Sequence, residues 1–281
     1  MLPELSFNFN GKTLACGRRP LLMGILNVTP DSFSDGGGLA TPEEAVAHAL
    51  AMELAGADIL DIGGESTRPG AAMVSAEEEQ RRVLPVIAAL RGRLRIPISI
   101  DTWRATTARA AVQAGAEIIN DISGLRRDPE MLKVVQETGA GAIAMHMRGT
   151  PETMQSMTDY QDLVGELVAY FAETIARCEA AGIPKSRLML DPGIGFAKTV
   201  EQNLELIAAT PRFRALGCPV LLGPSRKSFI GKLLNRPDPK DRLWGTAGAV
   251  AACARHGADV IRVHDVAEMA QLLKVFSAIP D

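Results

Sequence analysis

The sequence predicts a single (β/α)₈ (TIM) barrel preceded by a short β-hairpin. Short apolar stretches alternate with helical patterns eight times along the chain, and this repetition is typical of the fold at this length. Four helix-to-strand joints share a Gly-Ala pair, at Gly56, Gly115, Gly139 and Gly257. Glycine can end a helix in a left-handed conformation, so that the chain enters a parallel strand at once. These repeated joints favour one unit copied around a barrel.

We expect one domain, in which residues 1–18 form the hairpin and residues 19–281 form the barrel. Apolar residues flank Asn10-Gly11, which is a strong signal for a two-residue hairpin turn. We expect this hairpin to cover the bottom of the barrel. A doubly wound open sheet is the alternative. Such a sheet usually carries a phosphate-binding fingerprint in its first turn, and the sequence contains neither G-x-G-x-x-G nor a Walker A pattern.

The predicted strands are short apolar runs that precede turns or polar residues. They are Leu21–Val28, Ile59–Ile62, Ile98–Ile100, Ile118–Ile119, Ala142–Met145, Leu188–Leu190, Val220–Leu222 and Val260–Val263. Helical patterns follow each of them. The first helix should begin with a capping box at Thr41 and the second with another at Ser75. Pro85 lies within the second helical pattern and should kink or break it.

Composition excludes several classes of protein. The chain has 281 residues, 47% of them hydrophobic, and a formal net charge of −3. It therefore has no general basic field, and nucleic acid is not an expected partner. The sequence has no apolar run of transmembrane length and no signal peptide pattern. Its four cysteines form no C-x-x-C pair, which favours free thiols. We expect a cytoplasmic protein that does not contact a membrane.

Polar side chains follow nearly every predicted strand. In such a barrel the carboxyl ends of the strands meet at one rim, where the active site lies. The candidate rim residues are Asn27, Asp61, Glu65, Asp101, Asn120, Asp121, His146, Asp191, Ser225, Arg226, Lys227, Ser228, Arg262 and His264. Carboxylate and amide groups suit an aminopyrimidine edge that offers N–H donors. The cationic groups suit a carbonyl or a phosphate.

One of these strand ends has the composition of an anion site. The apolar run that begins at Pro219 breaks at Gly223-Pro224 and continues as Ser-Arg-Lys-Ser, after which a helical pattern starts at Phe229. Free backbone N–H groups at a helix start add positive potential to the two cations. A solvated basic turn would be the ordinary interpretation of an isolated Arg-Lys pair. The recurrence of polar strand ends around the chain favours a binding site.

Several motifs together resemble the dihydropteroate synthase family, over essentially the whole chain and in the same order. They are Met23-Gly-Ile-Leu-Asn-Val-Thr-Pro-Asp-Ser-Phe-Ser-Asp-Gly, Gly63-Gly-Glu-Ser-Thr-Arg-Pro-Gly, Ile119-Asn-Asp-Ile, Leu190-Asp-Pro-Gly-Ile-Gly-Phe, Ser225-Arg-Lys-Ser and Ile261-Arg-Val-His-Asp. The resemblance implies a transferase of folate biosynthesis. It would condense 6-hydroxymethyl-7,8-dihydropterin pyrophosphate with 4-aminobenzoate, giving 7,8-dihydropteroate and pyrophosphate through a pterin cation.

The resemblance also implies roles for individual residues. Asp101, Lys227 and Arg262 would be catalytic. The residues implied for the pterin and its pyrophosphate are Asn27, Asp101, Asn120, Asp191, Lys227, Arg262 and His264. Asn27 would bind Mg²⁺, the implied cofactor. No histidine is assigned as a general base, because the proton of the attacking amine can pass to solvent or to the departing pyrophosphate. His146 is expected in a wall or in the core.

The second substrate has its own implied residues. They are Phe33 and Thr67, Arg68 and Pro69 from two loops, together with Phe196, Lys227 and Ser228. The aminobenzoate carboxylate would lie on the backbone at Ser228, and sulfonamides would compete there. A homodimer is implied as well. Two other functions remain as alternatives: a methyltetrahydrofolate-binding methyltransferase, which expels no pyrophosphate, and a non-catalytic pterin-binding paralogue, which would be expected to have lost some of these residues.

Overall fold

A ring of parallel strands forms the centre of the molecule. The computed structural model describes residues 4–17, 19–29, 41–66 and 73–279. The barrel strands are β3 (Leu21–Asn27), β4 (Ile59–Gly63), β5 (Ile98–Asp101), β6 (Ile118–Asp121), β7 (Gly141–Met145), β8 (Leu188–Asp191), β9 (Leu221–Leu222) and β10 (Val260–Val263). Each lies within a residue or two of its predicted position. Their inward and outward faces are both largely buried, as the nearly continuous apolar runs predict.

The order of the strands confirms the barrel and rejects the open sheet. The strands are hydrogen-bonded in the order β8-β7-β6-β5-β4-β3-β10-β9, all parallel. A parallel bridge between Leu190 and Val220 joins β8 to β9 and closes the ring. This seam is short because β9 contains only two residues.

Helices surround the barrel and follow the strands in turn. The α-helices of the described residues are α1 (Pro42–Ala55), α2 (Ala76–Leu90), α3 (Ala105–Ala114), α4 (Met131–Thr138), α5 (Leu163–Ala180), α6 (Val200–Ala208), α7 (Thr210–Arg214), α8 (Ser228–Leu234), α9 (Leu243–Arg255) and α10 (Val266–Phe276). The glycines at all four predicted joints have positive φ. Left-handed glycine therefore connects helix to strand, as the repeated Gly-Ala pair indicates.

The two predicted helix caps differ. Thr41 forms the complete capping box, in which its hydroxyl accepts from Glu44 N and the Glu44 carboxylate accepts from Thr41 N. Ser75 makes only half of one: its hydroxyl accepts from Glu78 N, while the Glu78 carboxylate binds Arg81 and Arg82 instead. The capping box predicted at Ser75 was therefore wrong in one of its two hydrogen bonds, the one from Ser75 N to the Glu78 carboxylate, because two guanidinium groups compete for that carboxylate.

Pro85 does not end a helix, so of the two expected outcomes, a kink or a break, the break is excluded. Helix α2 continues from Ala76 to Leu90 with Pro85 inside it. Val83, Val86, Ile87 and Leu90 are buried on one face of α2. Burial of this apolar face holds the helix together across the missing backbone donor.

The N-terminal hairpin closes one end of the barrel, as predicted. Strands β1 (Leu5–Phe9) and β2 (Lys12–Cys16) pair antiparallel through a turn at Asn10 and Gly11, both with positive φ. Phe7, Phe9 and Cys16 pack against the residues that fill the barrel at the amino ends of its strands, which are Leu21, Met23, Ile59, Ile118, Ile143, Met189, Leu221 and Val260. No helix of the described residues is both long and apolar enough to cross a bilayer.

Candidate active site

A cavity of about 420 Å³ opens at the carboxyl ends of the barrel strands. The predicted site residues among those the structure describes all contribute to its wall. They are Asn27, Asp101, Asn120, Asp191, Phe196, Lys227, Ser228, Arg262 and His264. Phe33, Thr67, Arg68 and Pro69 lie outside the described residues. Residues distant in sequence therefore converge on one chamber, large enough for a small organic ligand.

The floor of the cavity is a network of charged and amide groups. Arg262, on β10, donates from Nε to Asp61 Oδ2 at 2.6 Å and from a terminal nitrogen to Asp101 Oδ2 at 2.9 Å. Asn120, on β6, donates from Nδ2 to the same oxygen of Asp61 at 3.0 Å. Burial raises the pKa of Asp101, and the Arg262 cation opposes that rise. The pairing fixes the guanidinium on two sides.

Asp191 ends β8 and begins a tight turn. Its Oδ1 accepts from Gly193 N at 2.7 Å. A Cβ at residue 193 would lie 2.1 Å from the carbonyl oxygen of His146, and φ there is +73°, so the turn requires glycine. Burial raises the pKa of Asp191 to about 6, against the hydrogen bond from Gly193 and the nearby cations. The residue is therefore both a turn residue and part of the cavity wall.

Lys227 reaches the cavity from a strained turn after β9. Arg226 has φ of +58°, an unfavourable value for a residue with a side chain. Its backbone N donates to Thr246 Oγ1 at 3.0 Å, and its guanidinium pairs with Asp265. These contacts stabilise the turn. They also show that the Arg226 cation is already paired with a carboxylate, unlike a cation that is available to a ligand.

The Lys227 ammonium lies against an aromatic ring. Its Nζ is 4.0 Å from the ring centroid of Phe196, a favourable cation–π distance. Burial and the neighbouring Arg262 lower the pKa of Lys227 to about 8, although Asp191 and Asp101 oppose this effect. The two side chains together offer an apolar surface beside a hydrogen-bond donor.

Ser225 and His264 follow the neighbouring strands β9 and β10 and face each other. Ser225 Oγ accepts from the backbone N of His264 at 3.2 Å and lies 3.0 Å from the Nδ1 of the same histidine. A hydroxyl that accepts from one group is free to donate to the other. When the hydroxyl donates to Nδ1, the proton of a neutral His264 imidazole lies on Nε2.

Asn27 and Asp101 meet beside Gly63. A Cβ at this position would lie 3.5 Å from Asp101 Cβ and 3.7 Å from Asn27 Oδ1. A cluster of three or more His, Cys, Asp or Glu side chains arranged for a metal is absent from the described ranges. Asn27 lines the cavity, and an amide oxygen is a type of ligand that a hard cation such as Mg²⁺ accepts.

Ser228 begins α8 at the exposed edge of the cavity. Lys227 is the N-cap, and no side chain of the described residues caps this helix start. The backbone N–H groups of its first turn are consequently available to a polar group from outside the helix.

Three of the predicted rim residues do not line the cavity. Asp61 lies under the floor, two residues before Gly63 on the inward face of β4, and is fully buried. Asp121 follows Asn120 on β6 and therefore faces the opposite way, where its Oδ1 accepts from Ser123 N. His146 is buried behind the wall, edge-on to Tyr170, and burial together with the nearby Lys198 lowers its pKa to about 3. Its placement in the core agrees with expectation.

Sequence reasoning missed Lys198, a buried cation behind Phe196. Its Nζ donates to Phe196 O at 2.8 Å and lies 3.2 Å from His146 Nδ1. Burial lowers the pKa of Lys198 to about 7. An isolated lysine before a helix cap carries no sequence signal for burial, which here depends on the contact between two loops.

A second missed feature is the ion pair between Glu65 and Arg104. Arg104 donates to Glu65 Oε2 at 2.8 Å, to Glu79 Oε2 at 3.1 Å and to Val74 O at 2.6 Å. Glu65 Oε1 also accepts from Val74 N at 2.9 Å. Glu65 lines the cavity, so this buried network fixes one side of its mouth.

The sequence matches a known family over most of its length. Residues 23–264 match the model of the pterin binding enzyme family. The dihydropteroate synthase of Synechocystis sp. is 53% identical over 263 residues, which cover 94% of this chain and 91% of that protein.

Solved structures give the same result. A dihydropteroate synthase from Xanthomonas albilineans, solved with 4-aminobenzoic acid, superposes with a TM-score of 0.90 at 45% identity, covering 99% of this chain and 100% of that one. The same enzyme has been solved with 7,8-dihydropteroate. The Yersinia pestis enzyme, solved with a sulfonamide drug, superposes with a TM-score of 0.91 at 44% identity and covers 98% of each chain. The chain therefore belongs to the pterin binding enzyme family and, within it, to the dihydropteroate synthases.

Proposed function

We propose that this cavity joins 6-hydroxymethyl-7,8-dihydropterin pyrophosphate to 4-aminobenzoate, giving 7,8-dihydropteroate and pyrophosphate. The observation that carries the proposal is the convergence of acceptors and donors in one chamber. Asn120 and Asp191 supply oxygens for the N–H groups of an aminopyrimidine edge, and Lys227 supplies a donor for the ring carbonyl. The Arg262 guanidinium, fixed in plane by two carboxylates, offers a flat surface against which a bicyclic ring can stack.

The reaction proceeds by dissociation in this proposal. The bond between the pterin methylene carbon and the pyrophosphate oxygen breaks, and its electron pair leaves with the pyrophosphate. The Asp101 carboxylate stabilises the resulting pterin cation. The lone pair of the aminobenzoate nitrogen then forms the new C–N bond, and the nitrogen loses a proton to solvent or to pyrophosphate.

The leaving group is held by cationic and hydrogen-bonding residues at the rim. Arg262 and His264 line the cavity and can donate to pyrophosphate oxygens. A Ser225 hydroxyl that donates to His264 Nδ1 would leave Nε2–H as the donor to the pyrophosphate. Asn27 would hold Mg²⁺ together with those oxygens. When bound, this ion neutralises charge that develops on the leaving group.

The aminobenzoate is proposed to lie beside Phe196 and Lys227, with its carboxylate on the backbone N–H groups at Ser228. Thr67, Arg68 and Pro69 would complete this pocket, and Phe33 would close it. The relatives solved with 4-aminobenzoic acid and with a sulfonamide drug support competition between the two ligands.

Removal of the Lys227 ammonium tests the proposal. Wild-type protein should release pyrophosphate when both substrates are mixed with it, and Lys227→Ala should lower kcat/KM for the pterin substrate by about 10³-fold. Lys232→Ala, on the helix that Lys227 precedes and with an exposed side chain, is the matched control and should retain activity. Folding of both variants is verified by circular dichroism and thermal melting. Wild-type turnover in a folded Lys227→Ala protein would remove this residue from the site.

The same assay separates the alternative functions. A methyltransferase that binds methyltetrahydrofolate would release no pyrophosphate from these substrates, and neither would a non-catalytic paralogue. The retention of Asn27, Asp101, Asp191, Lys227 and Arg262 in one cavity favours the synthase.

We also propose a homodimer that acts in the cytoplasm. Helices α6, α8 and α9 pack together and leave large apolar side chains in solvent. These are Leu204, Leu233, Leu234 and Trp244, exposed by 45%, 55%, 47% and 84%. An apolar face of this kind suits a second copy of the chain. The four cysteines are free and buried, which suits a reducing compartment.

A further inference from the structure

Asp61 is a buried carboxylate that the proposed reaction does not use. It lies on β4 beneath the cavity floor, with no solvent exposure, and does not line the cavity. Its Oδ2 accepts two hydrogen bonds, from Arg262 Nε at 2.6 Å and from Asn120 Nδ2 at 3.0 Å. Its Oδ1 has no partner among the described residues. Burial of a carboxylate is costly, so its two contacts indicate a specific purpose.

The contact with Asn120 determines which end of that amide meets a ligand. An ionised carboxylate only accepts hydrogen bonds, so the NH₂ group of Asn120 must face Asp61. The amide oxygen is then the end left for the cavity. Without Asp61 the amide could rotate by half a turn and present its NH₂ group instead.

The contact with Arg262 fixes the plane of the guanidinium. Asp61 binds Nε, and Asp101 binds a terminal nitrogen at 2.9 Å. Two carboxylates on different strands, β4 and β5, thus prevent rotation of a side chain that would otherwise sample several rotamers. The stacking surface above the floor is therefore already in place before a ligand binds.

We propose that Asp61 is a positioning residue that fixes the amide of Asn120 and the plane of Arg262, so that the floor recognises a heterocycle with N–H donors on its edge. This inference rests on the proposed function. Asp61 acts only through its two partners. Removing it should weaken the pterin half of the site and leave the aminobenzoate half unchanged.

Two substitutions separate the hydrogen bonds from the charge. Asp61→Asn can place its carbonyl oxygen where Oδ2 lies and its NH₂ group where the unpartnered Oδ1 lies. It therefore keeps both accepted bonds. Asp61→Ala keeps neither, and the space it leaves can admit water, which donates as readily as it accepts.

The measurements are KM for each substrate and calorimetric binding of two probes, 6-hydroxymethylpterin and its lumazine analogue, in which a 2-oxo group replaces the 2-amino donor. Wild-type protein should prefer the pterin. In Asp61→Ala this preference should fall about tenfold and KM for the pterin substrate should rise at least tenfold, with KM for aminobenzoate within twofold. Asp61→Asn should keep the preference, with KM for the pterin substrate raised about fivefold or less.

Asp259 provides the matched control at the opposite end of the barrel. It is a buried carboxylate that accepts from Arg214 Nε at 3.0 Å. Asp259→Ala should lower the melting temperature and leave the probe preference unchanged.

Several results would overturn the positioning role. A folded Asp61→Ala protein with unchanged probe preference would do so, as would equal rises in both KM values. If Asp61→Ala does not fold, Asp61→Leu, which fills the space but accepts no hydrogen bond, replaces it, and an unchanged preference in that protein contradicts the proposal. Absence of pyrophosphate release by wild-type protein would instead reject the proposed function itself.

Discussion

The two ends of the barrel each contain a buried pair of arginine and aspartate, and strand β10 connects them. At the amino end, Asp259 accepts from Arg214 and also from Val220 N at 2.9 Å, beneath the hairpin. At the carboxyl end, Arg262 is shared by Asp61 and Asp101 under an open cavity. The first pair uses both oxygens of its carboxylate on the protein's own donors. The second leaves Asp101 Oδ1 without a hydrogen bond among the described residues, on a side chain that lines the cavity and can meet a ligand.

This difference indicates that the same ionic chemistry stabilises one end and, in the proposed function, serves substrate binding at the other. What separates them is their surroundings. Phe7, Phe9 and Cys16 seal the amino end with apolar side chains. The carboxyl end is surrounded by the polar residues that follow the strands, and it holds a cavity of about 420 Å³. We therefore expect substitutions at the two ends to affect different measurements.

The largest effects, on activity at one end and on stability at the other, should come from replacing the arginine of each pair with alanine. Arg262→Ala should lower kcat/KM for the pterin substrate by about 10³-fold, because it removes both the stacking surface and a donor to the leaving group. Arg214→Ala should cost about 3–5 kcal/mol of unfolding free energy, because it leaves Asp259 buried without its partner. Steady-state kinetics and urea denaturation measure the two effects.

The comparison would fail if Arg214→Ala, studied below its denaturation midpoint, lost activity to the same extent as Arg262→Ala. It would also fail if Arg262→Ala changed only the denaturation midpoint.

A smaller effect should appear in the pH dependence of kcat/KM, because two residues at the carboxyl end of the barrel titrate close to neutral pH. Asp191 has a pKa of about 6 and loses its capacity to accept from the ligand as it becomes protonated below that pH. Lys227 has a pKa of about 8 and loses its donor charge above that pH. We expect kcat/KM for the pterin substrate to be highest between about pH 6 and 8, and to fall up to tenfold per pH unit outside this range.

The stability contribution of these groups changes in the opposite direction. Between pH 8 and 10.5 the unfolded chain binds the Lys227 proton more tightly than the folded chain, so stability rises with pH while activity falls. Between pH 3.8 and 6 the folded chain binds the Asp191 proton more tightly, so stability falls as pH rises. In Lys227→Met and Asp191→Asn proteins the corresponding slopes of unfolding free energy against pH should become smaller by the contribution of the substituted group, while Lys198 and Asp101 keep theirs. Slopes equal to those of the wild-type protein in both variants would assign the titrations to other groups.

The smallest effect should come from a helix cap on the carboxyl side that does not touch the cavity. Thr41→Ala removes the capping box of α1 and should cost about 1 kcal/mol of unfolding free energy. Both KM values should stay at wild-type level. A rise in KM would mean that loss of stability on this side of the barrel is enough to disturb the site, and would weaken the distinction drawn from Arg262.

Most of the fold was predictable because its signals are local and repeated. The Gly-Ala joints, the apolar runs and the turn at Asn10-Gly11 each depend on neighbouring residues alone. Of the kink or break expected at Pro85, the break does not occur, because packing of the helix face outweighs a missing hydrogen bond.

The sequence predicted which strand ends carry the site, but it predicted less well which way each side chain points. Asn120 and Asp121 are adjacent and both polar, so the two-residue period of a strand could not decide which of them faces the barrel axis. The depth of Asp61 depends on how the strands are staggered around the ring, and burial of Lys198 depends on contact between loops. These properties arise only when the ring of strands has closed.

The short seam between β8 and β9 has an energetic consequence for ligand binding. A single bridge, Leu190 to Val220, joins the two strands. Asp191 and Phe196 follow one strand of this seam and Lys227 follows the other. In the proposed function a heterocycle bound to Asp191 and Lys227 would span the junction at which the ring has the fewest paired residues. Its binding energy would then also stabilise the closed ring, so that ligand occupancy and ring closure would be thermodynamically linked.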